Sequence, residues 1–185
     1  MMNLYKIVKR SFDIFFALFG LVLLSPIILL SYIVAAFETL SNGFFVQQRV
    51  GMNGYVFSVV KIKTMKSLAG ENSTITASND VRITKSGIFF RKTKIDELPQ
   101  LWNVLIGQMS FVGPRPDVPG YADRLQGKDR VILSVRPGIT GPAQLTYRNE
   151  EEVLSNQIDA IKYNDEVIWP SKVRINRNYI ENYSL

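Results

Sequence analysis

The chain has 185 residues with 22 Lys+Arg against 16 Asp+Glu, a formal net charge of +6, and it contains no Cys and no His. Zinc fingers, iron–sulfur sites, disulfide frameworks and thiol chemistry need Cys, so this composition excludes them. Serine triads and histidine general bases are excluded in the same way. An enzyme of this composition must work with carboxylates, Lys or Arg, hydroxyls, backbone amides or a metal ion held by oxygen.

Near the N-terminus, the residues from Ile14 to Phe37 carry no charge and are mostly apolar. A helix over this run reaches roughly 36 Å, while a bilayer core requires about 20 apolar residues. The rest of the chain has the composition of an ordinary soluble domain. The sequence therefore predicts a membrane-embedded element over residues 1–40 and a globular domain over residues 41–185.

A cleaved signal peptide, a buried core helix and a plain spanning helix are the alternatives for this run. Ser25-Pro26 lies in its middle, and proline removes a helix hydrogen bond and kinks the helix. Lys6, Lys9 and Arg10 precede the run and the other 19 basic residues follow it, so the positive-inside rule draws both flanks to the cytoplasm. We therefore expect a re-entrant helix-hairpin, broken at Ser25 and Pro26, with both ends on one face of the membrane.

The remainder predicts an α+β fold, in which a small and mostly helical domain carries one short β-hairpin. Phe44–Val50 and Tyr55–Lys63 flank a Gly-Met-Asn-Gly turn and are the expected strands. Helices are expected in part of Val81–Lys94, over Ile95–Gly107, over Glu150–Asn164 and in patches after Pro170, and a polar loop over Ser67–Asp80.

The segment Ile95–Gly107 is the most regular of these helices. Asp96 fits its N-cap, and Gly107 is a natural stop. Its expected apolar face consists of Leu98, Leu101, Trp102 and Leu105.

Two adjacent carboxylates, Asp96 and Glu97, are the first candidates for chemistry. A structural reading makes them a helix cap followed by a favourable first-turn charge. A functional reading makes them a nucleophile beside a metal ligand, because carboxylates form acyl-phosphates and Mg²⁺ takes one or two carboxylates plus substrate phosphates.

Several basic residues are candidates for binding an anion. Arg115 lies between two prolines, and Arg136 directly precedes Pro-Gly. Each arginine could be a solvated loop residue or a phosphate clamp. Lys61 lies on a strand face with Lys63. Arg91 comes shortly before the acidic pair.

The block from Ile95 to Leu105, followed by Gly107 and by Met109–Pro116, resembles the signature of the bacterial sugar transferases. These are monotopic phosphoglycosyltransferases that start glycan assembly on polyprenol phosphate. Arg136–Gly141 resembles their next motif. The start is also similar, with Lys-Arg-x-x-Asp before an apolar run that is broken by Ser-Pro.

The resemblance implies a role for each matching residue. Asp96 matches the nucleophile that attacks the β-phosphate of a UDP-sugar, and Glu97 matches the partner carboxylate that helps to hold Mg²⁺. Basic residues expected near the phosphates are Lys61, Arg91, Arg115 and Arg136. Ser25-Pro26 matches the break in the re-entrant helix.

The implied reaction transfers a sugar-1-phosphate from a UDP-sugar to polyprenol (undecaprenyl) phosphate through an aspartyl-phosphosugar intermediate. It gives polyprenol-diphosphate-sugar and UMP, and it is the first membrane step of surface glycan assembly. The expected location is the bacterial inner membrane, with the catalytic domain on the cytoplasmic face. A membrane-anchored binding module and a one-step transferase are the rival hypotheses. No nucleic-acid partner is expected, because no basic stripe interleaved with aromatics is present.

The sequence departs from the family pattern in three places. Lys63 stands where relatives often have Arg, and Pro142 where Trp is common. The chain stops at Leu185, where relatives often continue into another amphipathic helix, so a shortened C-terminus is expected. Homo-oligomerisation and the identity of the sugar stay open.

Overall fold

The computed structural model of the chain describes residues 2–66 and 80–182, and its first element is a long helix, α1 (Met2–Thr39). A two-stranded sheet follows, made of β1 (Phe44–Val50) and β2 (Val56–Ile62). The remaining elements are α2 (Lys85–Thr93), α3 (Gln100–Leu105), β3 (Ser110–Val112), β4 (Gly138–Thr140), α4 (Pro142–Thr146), α5 (Glu150–Ser155), α6 (Ala160–Tyr163) and α7 (Trp169–Glu181). The predicted mixture of helices with a β-hairpin is confirmed, but the second small sheet, the parallel pair β3–β4, was not predicted. Most of the predicted loop Ser67–Asp80 lies outside the described residues.

Helix α1 continues through Ser25-Pro26, so this element is one helix and not two helices joined by a turn. Pro26 has no N–H to donate to the carbonyl oxygen of Val22, four residues earlier. The hydroxyl of Ser25 donates to that same oxygen at 2.9 Å and replaces the missing bond. Among the described residues, α1 is the helix long and apolar enough to cross a membrane.

The N-terminal half of α1 docks on α3 and β3. Arg10 donates from Nη1 to the carbonyl oxygen of Val104 at 2.7 Å and from Nη2 to that of Leu105 at 2.8 Å, which satisfies carbonyls at the end of α3. Asp13, only 3% exposed, accepts from the backbone N–H of Phe111 at 3.2 Å. Ala17 is fully buried against the same region.

The C-terminal end of α1 docks on β2 and α2. Ala35 is fully buried in a cluster with Ile62 and Phe90. The carboxylate of Glu38 accepts from the backbone N–H of Ser86, at the start of α2, at 3.2 Å. Both ends of α1 therefore contact the same globular part of the chain.

The strands β1 and β2 form the predicted hairpin, antiparallel from Phe44 opposite Ile62 to Val50 opposite Val56. The outer edge of β2 is paired by a side chain of α3. Asn103 donates to the carbonyl oxygen of Ser58 at 2.8 Å and accepts from the N–H of Val60 at 3.3 Å. This contact fixes α3, and the acidic pair just before it, against the hairpin.

The strands β3 and β4 pair in parallel and bring the two proline-bearing loops together. The N–H of Gly113 donates to the carbonyl oxygen of Thr140 at 2.9 Å, and the N–H of Gly138 donates to that of Pro114 at 2.8 Å. A Cβ at Gly138 would lie 2.2 Å from the nitrogen of Gly113. Only glycine permits this close crossing.

Three local predictions are wrong. Asp96 caps no helix, because it lies inside a 3₁₀ turn (Ile95–Glu97). Lys94, with a left-handed φ of 61°, ends α2 and immediately precedes this turn. The predicted helix Glu150–Asn164 breaks into α5 and α6, with a turn between them. Trp102 lies on the exposed side of α3, at 52% exposure, and not on its buried face.

Candidate active site

The acidic pair lies in the 3₁₀ turn between α2 and α3, beside β2. Asp96 is 9% exposed, and its Oδ1 has no hydrogen-bond partner among the residues that the structure describes. Burial, with the added charge of Glu97, raises the pKa of Asp96 against the opposing effect of Lys61. An oxygen atom that is buried without a hydrogen-bond partner carries a desolvation cost, so its position calls for a physical explanation.

Glu97 lies between two cations that come from distant parts of the chain. Its Oε1 accepts from Nζ of Lys61 at 3.0 Å and from Nη2 of Arg115 at 2.9 Å. Burial alone would raise the pKa of Glu97, but Arg115 and Lys61 outweigh it and lower this pKa to about 2. Glu97 is therefore a carboxylate at every physiological pH.

The two cations differ in their exposure to solvent. The Lys61 side chain is 19% exposed, and its burial, with the nearby charge of Arg115, lowers its pKa to about 8 despite Glu97 and Asp96. The Arg115 side chain is 42% exposed. Since a guanidinium has five N–H donors, Arg115 can bind Glu97 and an anion from solvent at the same time.

The structure brings Lys61 and Arg115 to the acidic pair and places Arg91 near it. The charge of Arg91 is among those that lower the pKa of Asp96, and its Nη1 contacts Sδ of Met65 at 3.6 Å. Lys63, by contrast, points away and donates to Oγ of Ser41.

Arg136 lies elsewhere, close to the N-terminal half of α1. Its Nε donates to the carbonyl oxygen of Gly107 at 2.8 Å. Its charge acts on Lys9 and Arg10, and it is not among the charges that shift the pKa of Asp96 or Glu97. The contact of Arg136 with substrate phosphates stays a prediction. In the structure its hydrogen-bond partner is the backbone of Gly107.

Two further charged residues belong to this region, and the sequence analysis did not identify them. Arg49 on β1 is half-buried, and its pKa is lowered to about 10 by burial and by Arg115. Burial raises the pKa of Asp117 to about 6, although Lys172 and Arg49 act in the opposite direction. The signal available in the sequence was an arginine within an otherwise uncharged strand, Phe44–Val50.

The oxygen atoms of the acidic pair fit the ligand preference of Mg²⁺. Glu97 uses Oε1 for both cations, and in the described parts of the chain its Oε2 accepts no hydrogen bond. Oδ1 of Asp96 likewise has no hydrogen-bond partner within residues 2–66 and 80–182. Mg²⁺ needs only one or two protein carboxylates when substrate phosphates complete its shell, so these atoms could hold it.

Comparison with known proteins places the chain among transferases of phosphosugars. The profile of the bacterial sugar transferase family matches residues 4–185. A putative undecaprenyl-phosphate N-acetylgalactosaminyl 1-phosphate transferase of Bacillus subtilis (strain 168) is 42% identical over 125 residues, covering 67% of this chain and 70% of that protein. The exopolysaccharide production protein ExoY of Rhizobium meliloti (strain 1021) is 32% identical over 193 residues, covering 96% and 78%.

One longer relative matches this chain over only a minor part of the relative's own length. The UDP-glucose:undecaprenyl-phosphate glucose-1-phosphate transferase of Klebsiella pneumoniae is 40% identical over 162 residues, covering 84% of this chain and 34% of that protein. The chain thus spans about a third of this relative's length. The predicted resemblance is confirmed, and with it the prediction of an enzyme of the phosphoglycosyltransferase class: the chain belongs to the bacterial sugar transferase family.

Proposed function

We propose that this protein transfers a sugar-1-phosphate from a UDP-sugar to polyprenol (undecaprenyl) phosphate, with Asp96 as a covalent nucleophile. The observation that carries the proposal is the pairing of two unlike carboxylates. Asp96 is buried with an unpartnered Oδ1, while the adjacent Glu97 is held by Lys61 and Arg115. The names of the relatives support both the acceptor and the type of group transferred.

The two half-reactions balance without any further reactant. A carboxylate oxygen of Asp96 attacks the β-phosphorus, the bond from that phosphorus to the bridging oxygen breaks, and UMP leaves with the electron pair. A phosphate oxygen of polyprenol phosphate then attacks the same phosphorus and releases Asp96. The products are polyprenol-diphosphate-sugar and UMP.

The residues around Asp96 provide charge neutralisation, on which phosphoryl transfer depends. Arg115 and Lys61 orient Glu97 and offer positive charge to the diphosphate. Mg²⁺ bound through Glu97 would neutralise further charge on the phosphates. Lys94 and Arg91 add positive charge on the α2 side of the pair.

The same proposal includes a re-entrant membrane helix. Support comes from the contacts of Asp13 with β3 and of Glu38 with α2. In a straight helix these two residues would lie roughly 38 Å apart, more than the thickness of a bilayer core. A soluble domain contacts both only if both ends of α1 lie on one face, and the basic flanks favour the cytoplasmic face of the bacterial inner membrane.

The decisive experiment is a burst measurement with UDP-sugar in the absence of polyprenol phosphate. We expect at most one UMP per enzyme and a protein mass increased by one sugar-phosphate. Asp96→Asn should abolish both signals, because an amide is a poor nucleophile. UMP release only when both substrates are present, with no mass change, would support a one-step transferase. UDP-sugar binding without any UMP release would support a binding module.

A further inference from the structure

The loop that presents Arg115 to the acidic pair is held at both of its ends by backbone hydrogen bonds. On one side, the N–H of Gly138 donates to the carbonyl oxygen of Pro114 at 2.8 Å. On the other side, the N–H of Val50 donates to the carbonyl oxygen of Asp117 at 2.8 Å. The loop therefore lies between the β3–β4 pair and the end of β1.

A third bond to this loop comes from a side chain. Arg49 donates from Nη1 to the carbonyl oxygen of Pro116, the residue directly after Arg115, at 3.2 Å. Its Nη2 donates to Oε1 of Gln47, on the same strand, at 2.5 Å. The guanidinium is thus fixed at both ends, and a rigid strand holds the carbonyl next to Arg115.

The charges around Arg49 suit a supporting role better than ligand binding. Its own pKa of about 10 keeps it positive at neutral pH, and Asp117 and Glu97 attract it while Arg115 repels it. Arg115 has the more solvent-exposed side chain of the two, at 42%. The half-buried cation, Arg49, can support the loop, while the exposed cation, Arg115, meets the ligand.

We infer that Arg49 is a positioning residue, which holds the Pro116 carbonyl so that Arg115 projects between Glu97 and the diphosphate of the donor. This inference rests on the proposed function, because it takes the donor diphosphate as the anion that Arg115 binds. Arg49 itself touches neither the donor nor the reacting atoms. It acts only through the position of Arg115.

A double-mutant cycle on the KM for UDP-sugar tests the connection. Arg115→Met should raise KM by about 10- to 100-fold, the effect of one lost charge-assisted hydrogen bond. Arg49→Met should raise KM in the unmodified chain, with kcat within about threefold. In the Arg115→Met background, Arg49→Met should raise KM by less than about a further twofold, because the side chain that Arg49 positions has already been removed. Fully multiplicative effects would overturn the inference.

Arg49→Lys provides the conservative variant. Lysine keeps the charge but cannot make the forked contact with both Pro116 and Gln47. We expect it to recover only part of the loss in KM. Full recovery would mean that charge alone matters and would also count against a positioning role.

Hydrogen exchange supplies a readout that needs no substrate. The amide of Gly138, which donates to Pro114, should exchange at least about tenfold faster in Arg49→Met. The matched control is Arg177→Met, which removes an arginine paired with Asp129 elsewhere in the domain; its Gly138 amide should be unchanged.

This readout separates the two claims. An unmodified chain that releases no UMP would contradict the proposed function, while exchange at Gly138 would still decide the role of Arg49. Unchanged exchange in Arg49→Met would overturn the positioning role even in a fully active enzyme.

Discussion

At the scale of single residues, the acidic pair shows how neighbouring carboxylates acquire different properties. Glu97 meets two cations and has a pKa of about 2, whereas Asp96 is buried beside that negative charge and its pKa is raised. The cations that stabilise Glu97 also keep the pair from repelling a diphosphate. Glu97 is therefore held by two cations, and we propose that Asp96 is the carboxylate that reacts.

The charge of Lys61 predicts an alkaline limit to activity. Its pKa of about 8 means that the ammonium loses its proton as pH rises through 8, and the site then loses positive charge. We expect kcat/KM to fall above pH 8 and to recover when pH is lowered again. In Lys61→Arg the fall should move above about pH 10, since the pKa of a guanidinium lies well above that pH and the group stays protonated there.

Lys63→Arg is the matched control for this pH profile. Lys63 contacts Ser41 and not the acidic pair, so its replacement should leave the fall at pH 8 in place. Identical profiles for Lys61→Arg and the unmodified chain would show that another group controls the alkaline limit.

Glu97 carries a separate prediction about the metal. Glu97→Gln keeps the side-chain shape but removes the charge, so UMP release should fall by at least about a hundredfold. Chelation of Mg²⁺ should abolish turnover in the unmodified chain, and added Mg²⁺ should restore it. Circular dichroism would confirm that the variant is folded. Full activity in excess chelator would contradict the metal role.

At the scale of elements, the contact between α3 and the outer edge of β2 positions the acidic pair. In a two-stranded hairpin, each strand has one edge whose backbone N–H and C=O groups have no strand partner. Where these groups are buried, they need other hydrogen bonds. Asn103, 1% exposed, satisfies Ser58 and Val60 on that edge. Because α3 follows the acidic turn directly, this side chain also sets the distance between Glu97 and Lys61.

Replacing Asn103 should therefore cost both stability and activity. Asn103→Leu leaves a buried carbonyl and N–H without partners, which should lower the free energy of unfolding by about 2 kcal/mol. The melting temperature should fall by roughly 4–8 °C in a domain of this size. Gln108→Leu removes only the contact of Asn103 with Gln108 and should cost less. Equal melting temperatures for Asn103→Leu and the unmodified chain would contradict this role.

At the scale of the whole molecule, α1 and the globular part form one connected body. The helix contacts β3 near its N-terminal end and α2 near its C-terminal end. Between these contacts most large apolar side chains of α1 are exposed, such as Phe15 at 64% and Leu23 at 62%. This uncovered surface suits the hydrocarbon of a bilayer, while the docked face suits a domain at its surface.

Cysteine labelling tests the topology, and the natural absence of Cys makes single-Cys variants simple to prepare. Leu4→Cys and Lys128→Cys mark the start of α1 and the globular part. In intact cells, both should resist a membrane-impermeant thiol reagent added from the periplasm, and both should react after lysis. Labelling of residue 4 but not residue 128 in intact cells would contradict the re-entrant arrangement.

The Ser25-Pro26 pair gives a matched variant for the same assay. The Ser25 hydroxyl donates to the Val22 carbonyl oxygen that Pro26 leaves without its helix partner, and a proline inside a helix is the usual site of a kink. Replacing both residues with Leu should straighten α1 and expose residue 4 to the periplasm in a fraction of molecules. Replacing Ser31 and Ser41 with Ala provides a control that leaves Ser25 and Pro26 unchanged.

The amino-acid sequence by itself determined the features that depend on local chemistry. A run without charges, the hairpin around Gly51–Gly54 and the adjacent carboxylates are all visible without knowing the fold, whereas α1 continues as one helix through the break expected at Ser25-Pro26. Each rests on residues that are neighbours in the chain, or on the period of a strand. The family motif around Asp96 follows from the same local order.

Only the tertiary structure decided which basic residues meet the acidic pair. Lys61 is 36 positions from Glu97 and Arg115 is 18 positions away, while Arg136, with a similar proline-bearing loop, lies at the end of α3 instead. Arg49 appears in the sequence as one more strand residue. Composition cannot separate these arginines, because their roles depend on how the β3–β4 crossing and the edge of β2 fold distant segments together.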